Sequence, residues 1–466
     1  MTRTAQSSTS RLILLELNEL CPVLVDQFMA EGILPNFKRL RERSQAYVTG
    51  TSEDVLEPWI QWVTVHTGVP LAEHGVVDLD EAEKLAHDTF WDRMHNDNVL
   101  LLSPMNVKFK RHDASIFMPD PWAASQRPSE DIAPLYEFVR AAVTGHARAD
   151  TLPAKQALRA VAFLLRHGLS ASSALGASRQ VLREVLQGSD AKWRRATLLD
   201  RLLWDVFRYY WKSARRPRVG VFFSNATAHY QHKYWRHHDP DAFTLKPPAA
   251  ELALYKDAIR FGYRAHDRLI GKALDLMGEH TSLALCTALS QQPMNDYEAR
   301  GGKEMFVAKD LGGLLAALSV PVARVEHIMA EESRLHFESA EVGARALQTI
   351  AAARTTSGEP VFKTRGFDGT SLIIGCALFA SEVDANTMIL TGQSRLTFQE
   401  QFIRMPTTTS AKHHPDGIFW LAVPNAPASE STARLPLTEV RSKFEEVLGL
   451  KTAPVVVARA MAAQAR

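Results

Sequence analysis

LILLELNELCPVLVDQFMAEGILPNFKRL, residues 12–40, joins a strand pattern directly to a helix pattern. Residues 11–17 form a short apolar run of strand length, which an Asn-Glu pair and a Cys-Pro turn follow. Residues 23–29 then show helical spacing, and Gly32 and Pro35 end that helix. A buried strand that leads at once into a helix is the repeating unit of a parallel sheet covered by helices.

The same alternation of strand and helix patterns continues along the chain. Helical spacing in residues 59–67 ends at Gly68. Strand-like apolar runs return at residues 99–102, 218–224, 282–287, 371–377 and 417–423. We therefore predict an α/β fold with a mostly parallel central sheet and helices on both faces. Because ligands of open α/β sheets gather at the carboxyl ends of strands, we expect the functional site in the turns that follow these strands.

Residues 134–216 differ in composition from the rest of the chain. They are rich in Ala, Leu and Arg with apolar residues at helical spacing, so we predict a helical insertion, with residues 1–133 and 217–466 forming the α/β domain. Residues 146–218 contain 15 Lys and Arg against 5 Asp and Glu, although the net charge of the whole chain is only +2. This basic segment is either a solvated helical face, or a cap that attracts an anionic substrate, or a surface that contacts acidic lipid or polymer.

Bulk composition narrows the class of protein. The 466 residues are 46% hydrophobic and 23% charged, which is ordinary for a globular protein. No apolar run reaches the ~18 residues that a membrane span needs, and the polar first ten residues lack the features of a secretory signal. The three cysteines are far apart, which argues against a disulfide framework or a thiolate zinc site. We expect a cytoplasmic protein that binds a small anionic substrate and no nucleic acid.

Four blocks, in order, resemble the type I phosphodiesterase/nucleotide pyrophosphatase branch of the alkaline-phosphatase superfamily. Residues 12–40 resemble its opening strand and metal-binding turn, and PWIQWVTVHTGVPLAEHGVVD at 58–78 resembles its nucleophile helix. VGVFFSNATAHYQHKYWRHHDPDAF at 219–243 and HHPDGIFWLAV at 413–423 resemble later metal-binding segments. The resemblance implies an alkaline-phosphatase-like fold. It also implies a chemistry in which two divalent metals polarise a phosphate and activate a Thr or Ser hydroxyl.

Several positions depart from the family pattern. The family's acidic positions are Asn18, Ala228 and Ala288 in this chain. The position of its hydroxyl nucleophile is Pro58, and one of its imidazole positions is Leu289. Two imidazoles of the pattern are kept, as His232 and His413. Because a proline at the nucleophile position cannot attack phosphorus, the usual covalent mechanism does not carry over to this chain.

The retained imidazoles predict a remodelled metal site. His229 and His232 are three residues apart, so they share a face of a helix that begins near Thr227, and the resemblance brings His413 to the same strand end. Three imidazoles would hold one divalent Zn, Mn or Fe ion. Candidates for a fourth ligand are Glu57, Asn18 and Gln291. The two alternatives are a metal-free polar pocket and a helix start that these polar side chains merely cap.

The remaining candidates are catalytic and substrate-binding groups. Glu57 directly precedes Pro58 at a predicted helix start, where the helix dipole favours the ionised carboxylate. It is therefore a candidate metal ligand or general base, or else an ordinary helix-start glutamate. We assign Asn18 a role in orienting the substrate. Candidate substrate-binding residues are Gln291 and Gln292, in a polar turn after a strand, and Trp59, for which core packing is the alternative.

These residues support one leading hypothesis and two rivals. The leading hypothesis is an atypical alkaline-phosphatase-superfamily hydrolase that acts on an anionic, phosphate-type ester through one metal ion and a directly activated water. A non-catalytic, anion-binding relative is the first rival. The second is a metalloenzyme of a different reaction type that uses a three-histidine site. All metal-dependent versions require His229, His232 and His413 to converge at one edge of the sheet.

Overall fold

The computed structural model describes residues 10–94, 96–110, 114–123, 125–144, 154–328, 331–392, 394–405 and 409–450. The strands are β1 (Arg11–Leu17), β2 (Gln45–Gly50), β3 (Val99–Leu102), β4 (Ile116–Met118), β5 (Val219–Ser224), β6 (Thr281–Cys286), β7 (Ser290–Pro293), β8 (Phe306–Ala308), β9 (Arg324–His327), β10 (Ser333–His336), β11 (Arg354–Thr355), β12 (Phe362–Arg365), β13 (Ser371–Cys376), β14 (Met388–Thr391), β15 (Ser394–Thr397), β16 (Phe402–Arg404), β17 (Ala411–His414), β18 (Gly417–Ala422), β19 (Ser429–Glu430) and β20 (Leu435–Pro436). The helices are α1 (Pro22–Ala30), α2 (Pro35–Arg41), α3 (Pro58–Thr67), α4 (Leu71–His74), α5 (Ala133–Thr144), α6 (Ala154–Arg166), α7 (Ala171–Gln187), α8 (Arg195–Trp211), α9 (Ala226–His238), α10 (Ala249–Tyr255), α11 (Ala258–Leu274), α12 (Leu311–Ala317), α13 (Ala340–Ala352), α14 (Phe398–Gln401) and α15 (Leu437–Val447).

The central sheet has the strand order β19-β2-β18-β6-β1-β5-β3-β4, with β20 beside β2. Strands β6, β1, β5, β3 and β4 pair in parallel. Strand β18 runs antiparallel to both of its neighbours, β6 and β2. The predicted α/β fold with a mostly parallel central sheet is therefore confirmed.

Strand β1 lies at the centre of this sheet because both of its faces are largely apolar, with the buried Glu16 as an exception that pairs with His66. Ile13, Leu15 and Leu17 pack into one core, which also contains side chains of α1, α8 and α11. Leu12 and Leu14 pack into a second core with side chains of α3 and α15. Since successive residues of a strand point to opposite faces, one strand contributes to both layers, and each buried Leu or Ile contributes about 2 kcal/mol.

Helix α3 carries the predicted start and stop signals. Pro58 occupies its first turn, where a missing backbone N–H costs no helical hydrogen bond. Gly68 ends it in the left-handed region at φ 69°, and a Cβ there would lie 3.1 Å from the Thr438 carbonyl oxygen of α15. This close approach fixes α3 against α15 and sets where Glu57, the residue before the helix, is held.

Apart from Ala133, the first residue of α5, helices α5 to α8 lie within the predicted insertion, whose boundaries stay a prediction. Trp204 and Phe207 of α8 pack edge-to-face against Phe222 of β5, at ring-centroid distances of 5.2 and 5.8 Å. Helix α8 therefore covers the central sheet directly. Among the described residues, no helix combines the length and apolarity that crossing a bilayer requires.

Residues 306–404 form a second unit with its own apolar core. It contains the four-stranded sheet β12-β13-β10-β9, the three-stranded sheet β11-β14-β15 and the pair β16-β8. The prediction that residues 371–377 rejoin the central sheet is wrong, because β13 pairs with β10 and β12 instead. A six-residue apolar run identifies a buried strand, but its pattern does not identify the partner strand.

Candidate functional site

The candidate site lies at the carboxyl ends of the central strands. Asn18 and Glu19 follow β1, and His232 lies on α9, the helix after β5. Gln291 and His413 face each other across the antiparallel pair β7 and β17. Four segments that are distant in sequence thus meet at one edge of the sheet, where ligands of open α/β sheets gather.

Glu19, His232 and His413 form the centre of this site. The Glu19 Oε2 atom lies 3.1 Å from His232 Nε2 and 3.4 Å from His413 Nε2. The two imidazole rings are 5.3 Å apart, and one ligand atom from each of the three residues lies within 4.8 Å of the others. One carboxylate oxygen and two imidazole nitrogens are a donor set that divalent Zn, Mn and Fe accept.

The backbone at Glu19 turns sharply to aim its side chain. Its φ is 61°, in the left-handed region, which costs a non-glycine residue about 1–2 kcal/mol. The Asn18 N–H donates to the Ser224 carbonyl at 2.9 Å, and the Glu19 N–H faces the Thr287 carbonyl at 3.4 Å. The ends of β5 and β6 therefore hold the turn after β1, and such strain is characteristic of functional sites.

Two predicted candidates, Asn18 and Gln291, contact the Glu19 carboxylate. Asn18 Nδ2 donates to Glu19 Oε1 at 2.6 Å and to Asn225 Oδ1 at 2.7 Å, while Asn18 Oδ1 accepts from Trp62 Nε1 at 2.8 Å. Gln291 Nε2 donates to Glu19 Oε2 and to the Ala228 carbonyl, the latter at 3.1 Å. Both amides are buried, and these contacts position the carboxylate between them.

Backbone contacts also orient the two imidazoles of His232 and His413. His232 Nδ1 lies 3.2 Å from the Ala411 carbonyl oxygen, and this contact turns Nε2 of the ring toward Glu19. His413 forms a hydrogen bond with the backbone at Leu56. Such outer contacts hold the ring orientation that a ligating histidine needs.

Opposite charges dominate the protonation states of this cluster. Burial opposes ionisation of Glu19, but the charges and hydrogen bonds of His413 and His232 outweigh it and hold the pKa of Glu19 well below its usual range. Burial likewise disfavours the charged form of His413. The carboxylates of Glu19 and Glu57 nevertheless raise the pKa of His413 to about 9. As an unliganded cluster, Glu19 and His413 therefore form an ion pair at neutral pH.

Glu57 lies on the outer side of His413, with its Oε2 atom 3.7 Å from His413 Nδ1. It directly precedes α3, its side chain makes no capping hydrogen bond to that helix, and this side chain remains 36% exposed. Burial raises the pKa of Glu57 although the charge of His413 acts in the opposite direction. A partly exposed carboxylate with increased proton affinity, beside a possible ligand, has the properties of a general base.

The other predicted site residues lie outside this centre. His229 is not in the group of described residues whose ligand atoms converge, although it lies one turn before His232 on α9. Gln292 Nε2 donates to the His413 carbonyl at 3.2 Å and so supports the β7–β17 pair. Trp59 Nε1 donates to the Val77 carbonyl at 3.0 Å.

Sequence reasoning missed two residues of the site. Glu19 was noted only as a neighbour of Asn18, although an acidic residue directly after the first central strand is a usable signal. Lys303 precedes the second unit in the chain, and its positive charge lowers the pKa of Glu57. No local pattern around Lys303 predicts that it lies near this edge of the sheet.

No protein-family model matches the chain, and no curated protein matches it either. The chain is similar to phosphonoacetate hydrolase from Sinorhizobium meliloti 1021 in complex with phosphonoformate, with 14% identity, a TM-score of 0.41, and coverage of 94% of this chain and 96% of that one. It is also similar to murine ectonucleotide pyrophosphatase/phosphodiesterase 5 in complex with AMP, with 10% identity, a TM-score of 0.40 and coverage of 96% of both chains. Both belong to the alkaline-phosphatase superfamily, which the four sequence blocks resemble. At these identities and TM-scores, no activity, ligand or mechanism is carried over.

Proposed function

We propose that this protein is a divalent-metal-dependent hydrolase of an anionic, phosphate-type ester that works without a hydroxyl nucleophile. The observation that carries this proposal is the convergence of Glu19, His232 and His413, whose ligand atoms lie within 4.8 Å of one another at the carboxyl ends of the central strands. Hydrolases commonly use such O and N donor sets to bind a metal ion with open coordination positions.

The residues present fit a metal ion in two further respects. Asn18 and Gln291 hold the carboxylate, and backbone carbonyls orient the imidazoles, so the donors are held in place without an ion. In addition, the buried Gln291 Oε1 atom has no hydrogen-bond partner among the described residues. An orphaned acceptor beside three donors suits a fourth ligand or a contact to a bound water.

A divalent ion held by these residues would polarise the ester and lower the pKa of a bound water. Pro58 offers no hydroxyl at the helix start, so water is the nucleophile that remains. Glu57 lies beside His413 and would accept the proton of that water. The positive charge of Lys303 near Glu57 would attract the anionic ester.

One observation favours the rival in which the protein binds but does not catalyse. The negative charge of Glu19 is already matched by two imidazoles, at 3.1 and 3.4 Å, so the cluster is electrostatically complete without an ion. A relative that had lost its metal would be expected to keep such a balanced, hydrogen-bonded cluster as a structural element.

Elemental analysis of protein purified without added metal, together with assays on bis(p-nitrophenyl) phosphate and p-nitrophenyl phosphate, tests the proposal. We expect about one divalent ion per chain in the wild type and in His229→Ala, which removes an imidazole outside the centre. Glu57→Gln should keep the ion and lose about 100-fold in hydrolysis, as expected for a general base.

Three outcomes separate the alternatives. No bound ion and no hydrolysis, even after divalent ions are supplied, would overturn the proposal in favour of the non-catalytic rival. A bound ion that gives colour, a paramagnetic signal and oxygen consumption would indicate redox chemistry, which two histidines and a carboxylate also support. Metal loss in His229→Ala would show that the ligand set is wrong.

A further inference from the structure

A cavity of about 280 Å³ lies between α7, α8 and α11, on the face of β5 that α8 covers. Its lining includes five arginines and one lysine: Arg179, Arg183, Arg194, Arg201, Arg268 and Lys272. Asp200 is the one acidic residue that lines it. Five more positive than negative side chains thus surround a space large enough for a small ligand.

Nearby carboxylates offset this charge only in part, because Asp267 and Asp205 act on Arg268 and Lys272 through space without forming an ion pair with them. Glu184 pairs with Arg195, Asp200 accepts from the Ser224 hydroxyl at 2.6 Å, and Asp205 accepts from the Ser170 N–H at 2.8 Å. Within the described ranges, none of the six lining cations lies within 4.0 Å of a carboxylate oxygen. Burial is the main cause that lowers the pKa values of Arg194 and Arg268; the charges of Arg183 and Arg201 act in the same direction, and that of Asp267 opposes it for Arg268.

The helices are built to bring these charges together. Arg179 and Arg183 are one turn apart on α7, and Arg268 and Lys272 are one turn apart on α11. A Cβ at Gly176 of α7 would lie 2.4 Å from a guanidinium nitrogen of Arg201, so glycine at this position lets Arg201 cross the helix surface. Glycine inside a helix costs about 1 kcal/mol relative to alanine, and here it makes room for a cation.

The floor of the cavity is a buried network of hydrogen bonds at the end of β5. His266 Nε2 lies 2.9 Å from Ser224 Oγ and 3.3 Å from Asp200 Oδ2, while His266 Nδ1 lies 2.7 Å from Thr227 Oγ1. This network links α8, α11 and α9 to the sheet and gives the cavity a fixed polar base. The cavity is separate from the metal-site candidate, so the two assignments can fail independently.

We propose that this cavity binds a small polyanion that carries several phosphate groups. Guanidinium groups bind phosphate oxygens through paired hydrogen bonds, and clustered arginines are the usual way in which proteins bind multiply charged phosphates. A monoanion would neutralise only one of the five excess charges. The phosphates belong either to a free molecule or to a lipid headgroup, and exposed Val185 and Leu186 beside Arg183 on α7 suit contact with lipid.

Calorimetric titration with inorganic tripolyphosphate tests the free source. Cosedimentation with phosphatidylcholine vesicles, with and without phosphatidylinositol 4,5-bisphosphate, tests the lipid source. We expect the wild type to bind at least one of the two, more weakly as salt is raised. Arg183→Gln with Arg268→Gln, both exposed on their helices, should weaken binding at least about tenfold without loss of folding by thermal melting.

A matched pair of charge removals provides the control. Lys155→Gln with Arg159→Gln removes two exposed cations of α6 outside the cavity and should leave the affinity within about twofold. Val185→Ser with Leu186→Ser should abolish vesicle binding alone if the phosphates are on lipid, and change neither assay if they are free. If neither probe binds, or if the α6 control weakens binding as much as the cavity variant, the proposal is overturned.

Discussion

The two sides of β5 handle clustered charge in opposite ways. At its carboxyl end, Glu19 is matched by His232 and His413, and every charge in that cluster has an opposite charge within 4 Å. On the α8 side, six cations share a cavity with the single carboxylate of Asp200. A matched cluster is stable by itself, so a metal ion must compete with the imidazole protons. An unmatched cluster is stabilised by any anion that enters it.

Glu19→Ala is the variant with the largest expected effect on the matched cluster. It removes the carboxylate from the ligand set and leaves two imidazoles facing each other. We expect loss of stoichiometric metal and a fall in ester hydrolysis of about 1,000-fold or more, because the ion supplies most of the charge stabilisation. Metal content and kcat/KM, with His229→Ala measured in parallel, provide the readout. Full activity in Glu19→Ala would remove this carboxylate from the mechanism.

Asn18→Ala should produce the next largest effect. The Asn18 amide donates to Glu19 Oε1 at 2.6 Å, so its removal frees the carboxylate to rotate without deleting it. Partners behind a ligand typically contribute 10- to 100-fold in metal affinity, and we expect a loss of this size for Asn18→Ala. Competition of the variant with a chromogenic chelator measures the dissociation constant of the metal.

Gln292→Ala is the matched control for that experiment. Gln292 contacts the His413 backbone and not the carboxylate, so the metal affinity of this variant should stay within a few-fold of wild type. If both amide variants weaken metal binding equally, the effect comes from general loosening of the site and not from the position of the carboxylate.

The sequence predicted more of the fold than of the site, and the reason is physical. Apolar runs such as residues 12–17 predict strands because burial acts on the local pattern, and His232 and His413 followed from their resemblance to family motifs. Glu19 was missed as a ligand because its direction depends on a left-handed turn held by Ser224 and Thr287, which are distant in sequence. Such long-range contacts produce no local periodicity from which the direction of a side chain could be predicted.

The sequence did not predict the basic cavity or the second unit, and the physical reason is the same. The excess of arginine in residues 146–218 is visible in the sequence. The cavity at which these arginines gather also needs α11, which lies outside that range. Likewise the apolar run at 371–377 predicted a strand but not its membership of a separate sheet. Local composition indicates how much charge or apolar surface a segment has, whereas long-range packing decides what that surface faces.

Asp120 extends the comparison to a buried carboxylate that forms no ion pair with any described residue, although the charge of Arg140 acts on it. Burial, together with the charge of Asp80, raises the pKa of Asp120 to about 7, above the ordinary value of an unfolded aspartate. Because the folded pKa is the higher one, stability from this group is present at acid pH and is lost as pH rises through about 7. We expect Asp120→Asn to be about 2 kcal/mol more stable than wild type at pH 8 and little changed at pH 4.

Urea unfolding at the two pH values measures this difference. Asparagine can still accept the Trp122 N–H, which donates to Asp120 Oδ1 at 2.8 Å, so the variant should keep the local turn. Asp131→Asn is the control, because Asp131 is half-exposed and pairs with Arg215 at 2.7 Å. Its unfolding free energy should change by less than about 1 kcal/mol at either pH. Equal shifts in both variants would mean that net charge, and not burial, sets the pH dependence.

Trp62→Phe should produce the smallest effect and tests how far the matched cluster depends on its support. Trp62 is fully buried, and its indole N–H donates to Asn18 Oδ1 at 2.8 Å. Phenylalanine keeps most of the apolar packing but leaves the Asn18 oxygen without this donor, which costs about 1–2 kcal/mol. We expect a loss of this size in unfolding free energy and only a few-fold loss in metal affinity, because Asn18 Nδ2 still holds Glu19 and Asn225. A loss of metal affinity as large as that of Asn18→Ala would place the control of the carboxylate in the indole contact, and the matched cluster would then extend one layer deeper into the protein.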